Sequence, residues 1–266
     1  EAVAVDASGR WVAAAPGFTR PGTPKRLRVW ARSSNTPTYD WPLEVPGEPQ
    51  TTMGSAAHRL AFLDERRVLV AGGGGVRRFD LQTGASEWLW QIDRALLSDL
   101  AVSADGRLVA ASGFAGPEAK DQRADPVVLD LATGARRDVR SHGTHVYSIA
   151  LDAAGRTLVT GSHDGVVRVG HVDGSAPHLL LGHTAPVWSV AVSPDGRWVA
   201  SAAGGEIRLW PMPDVGKPPL HTLPYDELMA RLRALTNLQA VPDPAAATGY
   251  RLEVGPFPGW QDAPTW

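Results

Sequence analysis

One pattern returns five times along this chain, and nothing else in the sequence constrains the fold as tightly. From Gly182 to Trp210 the chain reads GHTAPVWSVAVSPDGRWVASAAGGEIRLW. Val187, Ser189 and Ala191 alternate with Trp188, Val190 and Val192, the period-2 pattern of a strand. A turn at Ser193-Pro194-Asp195-Gly196 follows, then a strand from Trp198, a tight turn at Gly204-Gly205 and a strand ending at Trp210. Earlier copies are SHGTHVYSIALDAAGRTLVTGSHDGVVRVG (141–170), SDLAVSADGRLVAASG (98–113, resuming at PVVLD, 126–130), RLAFLDERRVLVAGGGGVRRFD (59–80) and AVAVDASGRWVAAAPG (2–17, resuming at RLRVWAR, 26–32). Turn arginines at Arg10, Arg67, Arg107, Arg156 and Arg197 mark the repeat, at a period of roughly 40 to 57 residues. Short strands of about five residues between such turns predict a stack of small antiparallel sheets.

The GH, SPDGR and IRLW segments resemble the WD40 family, over about residues 1–224. That resemblance implies an all-β fold, a WD40-type β-propeller with about five blades visible as part of a larger propeller; a closed ring of five is the alternative. The blades are expected at 1–50, 51–95, 96–140, 141–180 and 181–224, with residues 220–223 as the fourth strand of the last. A tail, 225–266, is expected to add a small helix and a hairpin: Leu228, Leu232 and Leu235 share a helical face, and 238–241 and 250–254 read as strands. With Phe257, Trp260 and Trp266 among prolines at its end, the tail is expected to pack on the propeller or on a partner. In the family a His, a Ser or Thr, an Asp and a Trp tie the strands of one blade together. Carried over by position, this structural tetrad is His142, Ser148 and Asp164 in the fourth blade, with Gly170 where Trp is expected. In the fifth it is His183, Ser189 and Trp210, with no Asp.

Catalytic chemistry finds no support. With no cysteine in 266 residues, thiolate metal sites and cysteine nucleophiles are excluded. The eight histidines (58, 142, 145, 163, 171, 178, 183 and 221) show no HExxH and no companion carboxylates, so no metal and no cofactor is expected. Gly72 to Gly75 lacks a GK[ST] ending and runs into a strand, so it reads as a hairpin turn and not as a phosphate loop. No GxSxG elbow presents a serine. The chain is expected not to be an enzyme; a propeller hydrolase with a metal at the channel mouth ranks last. A formal charge of −2 argues against nucleic acid as a partner. No apolar run approaches the ~18 residues of a span, so no membrane partner and a cytoplasmic location are expected.

A protein partner, or a fused effector domain, is expected instead. In WD40 proteins contacts cluster beside the tetrad positions at one end of the blades. By position these residues are Trp188, Tyr147, His58 and Ser98, with His145 two residues before the serine and His163 before Asp164. Tyr147 and Trp188 lead the set because exposed aromatics give large contact area at low entropy cost. Insertions at 18–25 and 114–125 lie on the same side by pattern. The whole reads as a sensing, docking or autoinhibitory module of a larger bacterial signalling or effector protein, with a structural scaffold as the alternative.

Overall fold

The computed structural model describes residues 2–16, 25–43, 57–115, 125–139, 142, 145–235, 238–245 and 249–254. Residues 18–24 of the insertion at 18–25, most of that at 114–125, and Phe257, Trp260 and Trp266 lie outside the described residues.

The first blade is a meander in which each strand pairs with the one before it. Strands β1 (Ala2–Val5), β2 (Trp11–Ala15), β3 (Arg26–Ala31) and β4 (Tyr39–Pro42) form one antiparallel sheet in that order. The β1–β2 turn shows why the repeat folds locally. The Asp6 carboxylate accepts the Trp11 N–H at 2.6 Å and the Ser8 N–H at 3.1 Å, while Gly9 takes φ +69°, where a side chain would be strained. The third, fourth and fifth repeats turn the same way, with Gly106, Gly155 and Gly196 at φ +68°, +66° and +69°.

The second and third blades merge into a sheet ordered β10-β9-β8-β7-β6-β5. Its strands are β5 (Ala57–Phe62), β6 (Arg67–Asp80), β7 (Ser86–Val102), β8 (Leu108–Ala115), β9 (Val127–Asp130) and β10 (Arg136–Asp138). A straight run of 14 residues would span roughly 46 Å. Yet the Leu81 N–H donates to the Arg66 carbonyl at 2.9 Å, so the two ends of β6 meet and the run folds back on itself. The turn falls in the glycine run, where Gly75 has φ +136° and an added Cβ would sit 2.2 Å from the Trp90 carbonyl. The first half of β6 pairs with β5 and the second with the start of β7, whose other half pairs with β8. Thus β7 is the outer strand of one blade running on into the inner strand of the next, across the expected boundary at 95/96.

The fourth blade is β11 (Val146–Leu151), β12 (Thr157–Ser162), β13 (Val167–His171) and β14 (His178–Leu180). The fifth has β15 (Val187–Val192), β16 (Trp198–Ala203) and β17 (Glu206–Pro211). The expected fourth strand at 220–223 is corrected here, because Leu220–Thr222 is a 3-10 turn. Pro218 and Pro219 lack N–H groups, and the Thr222 amide N–H is drawn to the Pro219 carbonyl at 2.9 Å, so this segment curls instead of extending. Helix α1 (Tyr225–Leu235) and the hairpin β18 (Leu238–Pro242) with β19 (Tyr250–Val254) follow, as the tail pattern predicts.

Successive blades bury apolar faces against one another, which holds the array together. Leu27 and Val29 of the first meet Val68, Phe79 and Leu81 of the second. Val76 and Leu69 of the second meet Val109 and Leu129 of the third. Ala110 and Val128 of the third meet Ile149 and Leu158 of the fourth. Val159, Val167 and Val169 of the fourth meet Val187, Val190 and Val199 of the fifth. Each buried valine, leucine, isoleucine or phenylalanine among these stabilises the fold by roughly 1.5–3 kcal/mol. At both ends of the array apolar side chains are exposed. The Val172 N–H bonds the Arg156 carbonyl as the Met212 N–H bonds that of Arg197, which sets Val167 and Val169 equivalent to Ile207 and Leu209. The first two are fully buried; Ile207 is 77% exposed and Leu209 68%. Val3 and Val5 of the first blade are exposed likewise.

Candidate functional site

Four of the inner strands carry the same irregularity at one place. Pairing skips a residue between Ala57 and Arg59, Leu97 and Asp99, Val146 and Ser148, and Val187 and Ser189. The residues skipped are His58, Ser98, Tyr147 and Trp188, the four positions that the repeat alignment places before the tetrad serine. A bulge leaves its extra residue out of the ladder and re-aims its side chain. That local geometry, more than the loops, positions the site.

Two of the four form one surface. The rings of Tyr147 and Trp188 stack with centroids 4.4 Å apart and planes 12° from parallel. His163 sets its edge against Tyr147 at 6.1 Å, and His145 lies 6.4 Å from His163. Trp188 is 58% exposed, so the outer part of this ledge is open to contact. His145 holds φ 51°, the one non-glycine residue at positive φ among those described, and its carbonyl accepts the His163 N–H at 3.1 Å. Strain of that kind collects where a side chain must be aimed. Ser98 acts between blades instead, because its hydroxyl donates to the Val146 carbonyl at 2.9 Å and ties the third blade to the fourth. The side chain of His58 lies outside the described residues.

The tetrads differ from those carried over by resemblance, and the correction concerns the hydroxyl. In the fifth blade Trp210 Nε1–H donates to Ser201 Oγ at 2.8 Å, and Ser201 Oγ is 2.7 Å from His183 Nε2. His183 Nδ1 is 2.9 Å from a Glu206 carboxylate oxygen. The hydroxyl therefore belongs to Ser201 on the second strand, not to Ser189 on the first. Glu206, brought close by the Gly204-Gly205 turn, supplies the acid whose absence the sequence implied. The Glu206 carboxylate can only accept, so Nδ1–H donates to it, and in the neutral ring Nε2 then accepts the Ser201 proton. The Arg208 guanidinium, then His183, hold the Glu206 carboxyl below its ordinary range. An acid, a histidine and a serine in line resemble a hydrolase triad, but Ser201 is buried and its oxygen is committed to Trp210.

In the fourth blade His142 Nδ1 is 3.0 Å from Thr160 Oγ1, so Thr160 replaces Ser148 as partner. Gly170 stands at the tryptophan position, and even a Cβ there would lie 3.0 Å from His142 Nε2. Asp164 bonds Ser162 and Arg168 and not His142. Burial, with Arg168 nearby, pushes the His142 pKa down to about 3.

Ser148 belongs to a different network, one that the sequence did not disclose. It donates to Asp99 at 2.7 Å, and Asp99 also accepts the Ile149 N–H at 3.0 Å and Arg59 Nε–H at 2.8 Å. Ser148 Oγ in turn accepts the Val190 N–H at 3.1 Å. One line of hydrogen bonds thus crosses the second, third, fourth and fifth blades. Its one visible signal is that Arg59, Asp99, Ser148 and Ser189 are polar at equivalent positions of otherwise apolar strands.

Among the described residues no three His, Asp or Glu side chains converge on a metal position, and no helix is long and apolar enough to cross a membrane.

Comparison with known proteins agrees with this architecture. The model of the WD domain, G-beta repeat family matches residues 136–169 and 174–211, the stretches that form most of the fourth and fifth blades. The chain is also similar to WD repeat-containing protein SL1-17 of Schistosoma mansoni, 29% identical over 126 residues, which is 47% of this chain and 39% of that protein. WD40 repeats generally act as protein–protein interaction modules and the family is generally non-enzymatic. The matched repeats and the packed blades agree: over these stretches the chain is similar to the WD40 family, and its all-β blades are those of a WD40-type fold.

Proposed function

We propose that this array is a non-catalytic docking module whose contact surface is the Tyr147–Trp188 ledge with His163 and His145, and that it engages a partner protein or an effector domain of the same polypeptide. The bulge carries this reading. Four blades spend a ladder position at the same place, and in the last two the residue released is an aromatic ring that joins the open stack. Stacked, partly open aromatics are the side chains that dominate protein interfaces. A sensing or autoinhibitory role follows if the occupant is an effector domain held at this ledge.

The test compares proteins retained by the full chain with those retained by Trp188→Ala and Tyr147→Ala, beside melting curves of all three. A partner held by the parent and lost from both variants at unchanged melting temperature supports the reading. Retention of the same partners by both variants overturns it.

A further inference from the structure

The opposite end of the first blade departs from its sisters in a way that marks a second contact site. At this end each blade sets the arginine of its first turn beside the close of its third strand. The backbone bonds from Arg32, Leu81 and Leu131 N–H to the carbonyls of Arg10, Arg66 and Arg107 fix the equivalence. They also show that the turn arginine of the second blade is Arg66, one residue before the Arg67 marked by the repeat. In the second and third blades the third strand ends in an aspartate that grips this arginine, Asp80 with Arg66 at 2.6 Å and Asp130 with Arg107 at 2.7 Å. The first blade has Ala31 at that position. The next residue, Leu81 or Leu131 in those blades, is Arg32.

The first blade thus removes an acid and adds a base where its neighbours close an ion pair. Arg10 lies over the Trp11 ring at 5.5 Å and reaches Glu65 only at 3.5 Å. Among the described residues Arg32 makes no ion pair. Arg10, Trp11, Ala31, Arg32 and Ser33 line an open recess of about 590 Å³. The nearby Asp6 is already engaged by Ser8 and the Trp11 N–H. The fourth and fifth blades also lack the aspartate, with His171 and Pro211 there, but Val172 and Met212 follow and bring no second cation.

We infer that this recess binds an acidic side chain of a partner polypeptide, whose carboxylate takes the place that Asp80 and Asp130 fill elsewhere. Two guanidiniums and a hydroxyl suit a carboxylate, and the indole under Arg10 backs the recess. The site stands apart from the aromatic ledge, at the other end of the blades, so the two readings fail separately.

The probe is a fluorescein-labelled peptide of alternating glutamate and glycine, titrated by anisotropy against the full chain, with the glutamine counterpart as control and inorganic phosphate in a parallel titration. Ala31→Asp restores the missing carboxylate, and Arg32→Gln removes the added cation at an exposed position. The glutamate peptide should bind and the glutamine peptide should not, and each variant should weaken binding roughly tenfold at unchanged melting temperature. Equal binding of both peptides, undiminished binding to Arg32→Gln, or binding of phosphate with none of the glutamate peptide would overturn the assignment. Should Ala31→Asp not fold, Arg32→Gln decides alone.

Discussion

Asp99 and Ser148 sit on the inner strands of neighbouring blades, joined by a 2.7 Å hydrogen bond that both residues extend to further blades. Asp99 is buried and accepts from two side chains and from the Ile149 amide. Removing it leaves buried donors without an acceptor, which costs more than the bonds alone. Asp99→Ala should lower unfolding free energy by about 2–4 kcal/mol in urea titration. Arg59→Gln, at the half-exposed end of the line, should cost less than about 1 kcal/mol. Equal losses for the two would refute a network centred on Asp99.

The fifth-blade tetrad can be taken apart one bond at a time. Trp210→Phe removes the N–H donor with modest loss of ring volume and should cost about 0.5–1.5 kcal/mol. Trp210→Ala also empties the space beside Val199 and should cost about 3–5 kcal/mol. Ser201 should stay unlabelled by a fluorophosphonate probe, because its oxygen is buried and accepts the indole proton. Labelling there would reopen the case for hydrolysis.

His142 links stability to acidity. Its folded pKa is about 3 against an ordinary 6.5, because burial and then Arg168 disfavour the charged ring. Between those values the unfolded chain takes up a proton that the folded chain refuses. The stabilisation is therefore complete above pH 6.5 and fades as pH falls toward 3, by at most about 1.4 kcal/mol per unit. Replacing the ring with an amide removes this slope. The stability advantage of the parent over His142→Gln should shrink by about 1–2 kcal/mol between pH 6.5 and pH 5. A constant difference would place His142 in contact with water.

Equivalent positions at the middle and end of the array should respond unequally. Val169 is fully buried between blades, and its truncation to alanine should cost about 2 kcal/mol. Leu209→Ala, at the matching but exposed position, should change stability by less than about 0.5 kcal/mol. Similar costs would mean that another surface covers the fifth blade.

The sequence disclosed the strands and turns because alternation and the glycine turns are local signals, and Val187–Val192 and Trp198–Ala203 lie where the pattern puts them. It also singled out Tyr147 and Trp188, whose stacking only coordinates reveal, since they lie on different blades. The tetrad hydroxyl was misplaced because Ser189 and Ser201 both lie in serine-bearing strands, and spacing along a chain does not tell which strand faces the histidine. Glu206 was passed over because the two-glycine turn moves the acid by two positions. Residues 220–223 have the composition of a strand, and only the prolines before them decide otherwise. Asp99 was illegible for a simpler reason: an acid on an apolar strand looks like a solvent-facing residue until its partners on adjacent blades are known.

Every sheet here is woven from hairpins between consecutive stretches of chain. Contacts this short-ranged close quickly, so each blade can take shape as it leaves the ribosome, with its predecessor as template. The same wiring sets the order of loss. Among the described residues β17 has no outer strand beside it, so amide exchange should begin at Glu206–Pro211 and spread inward, reaching the strands bridged by Asp99 last.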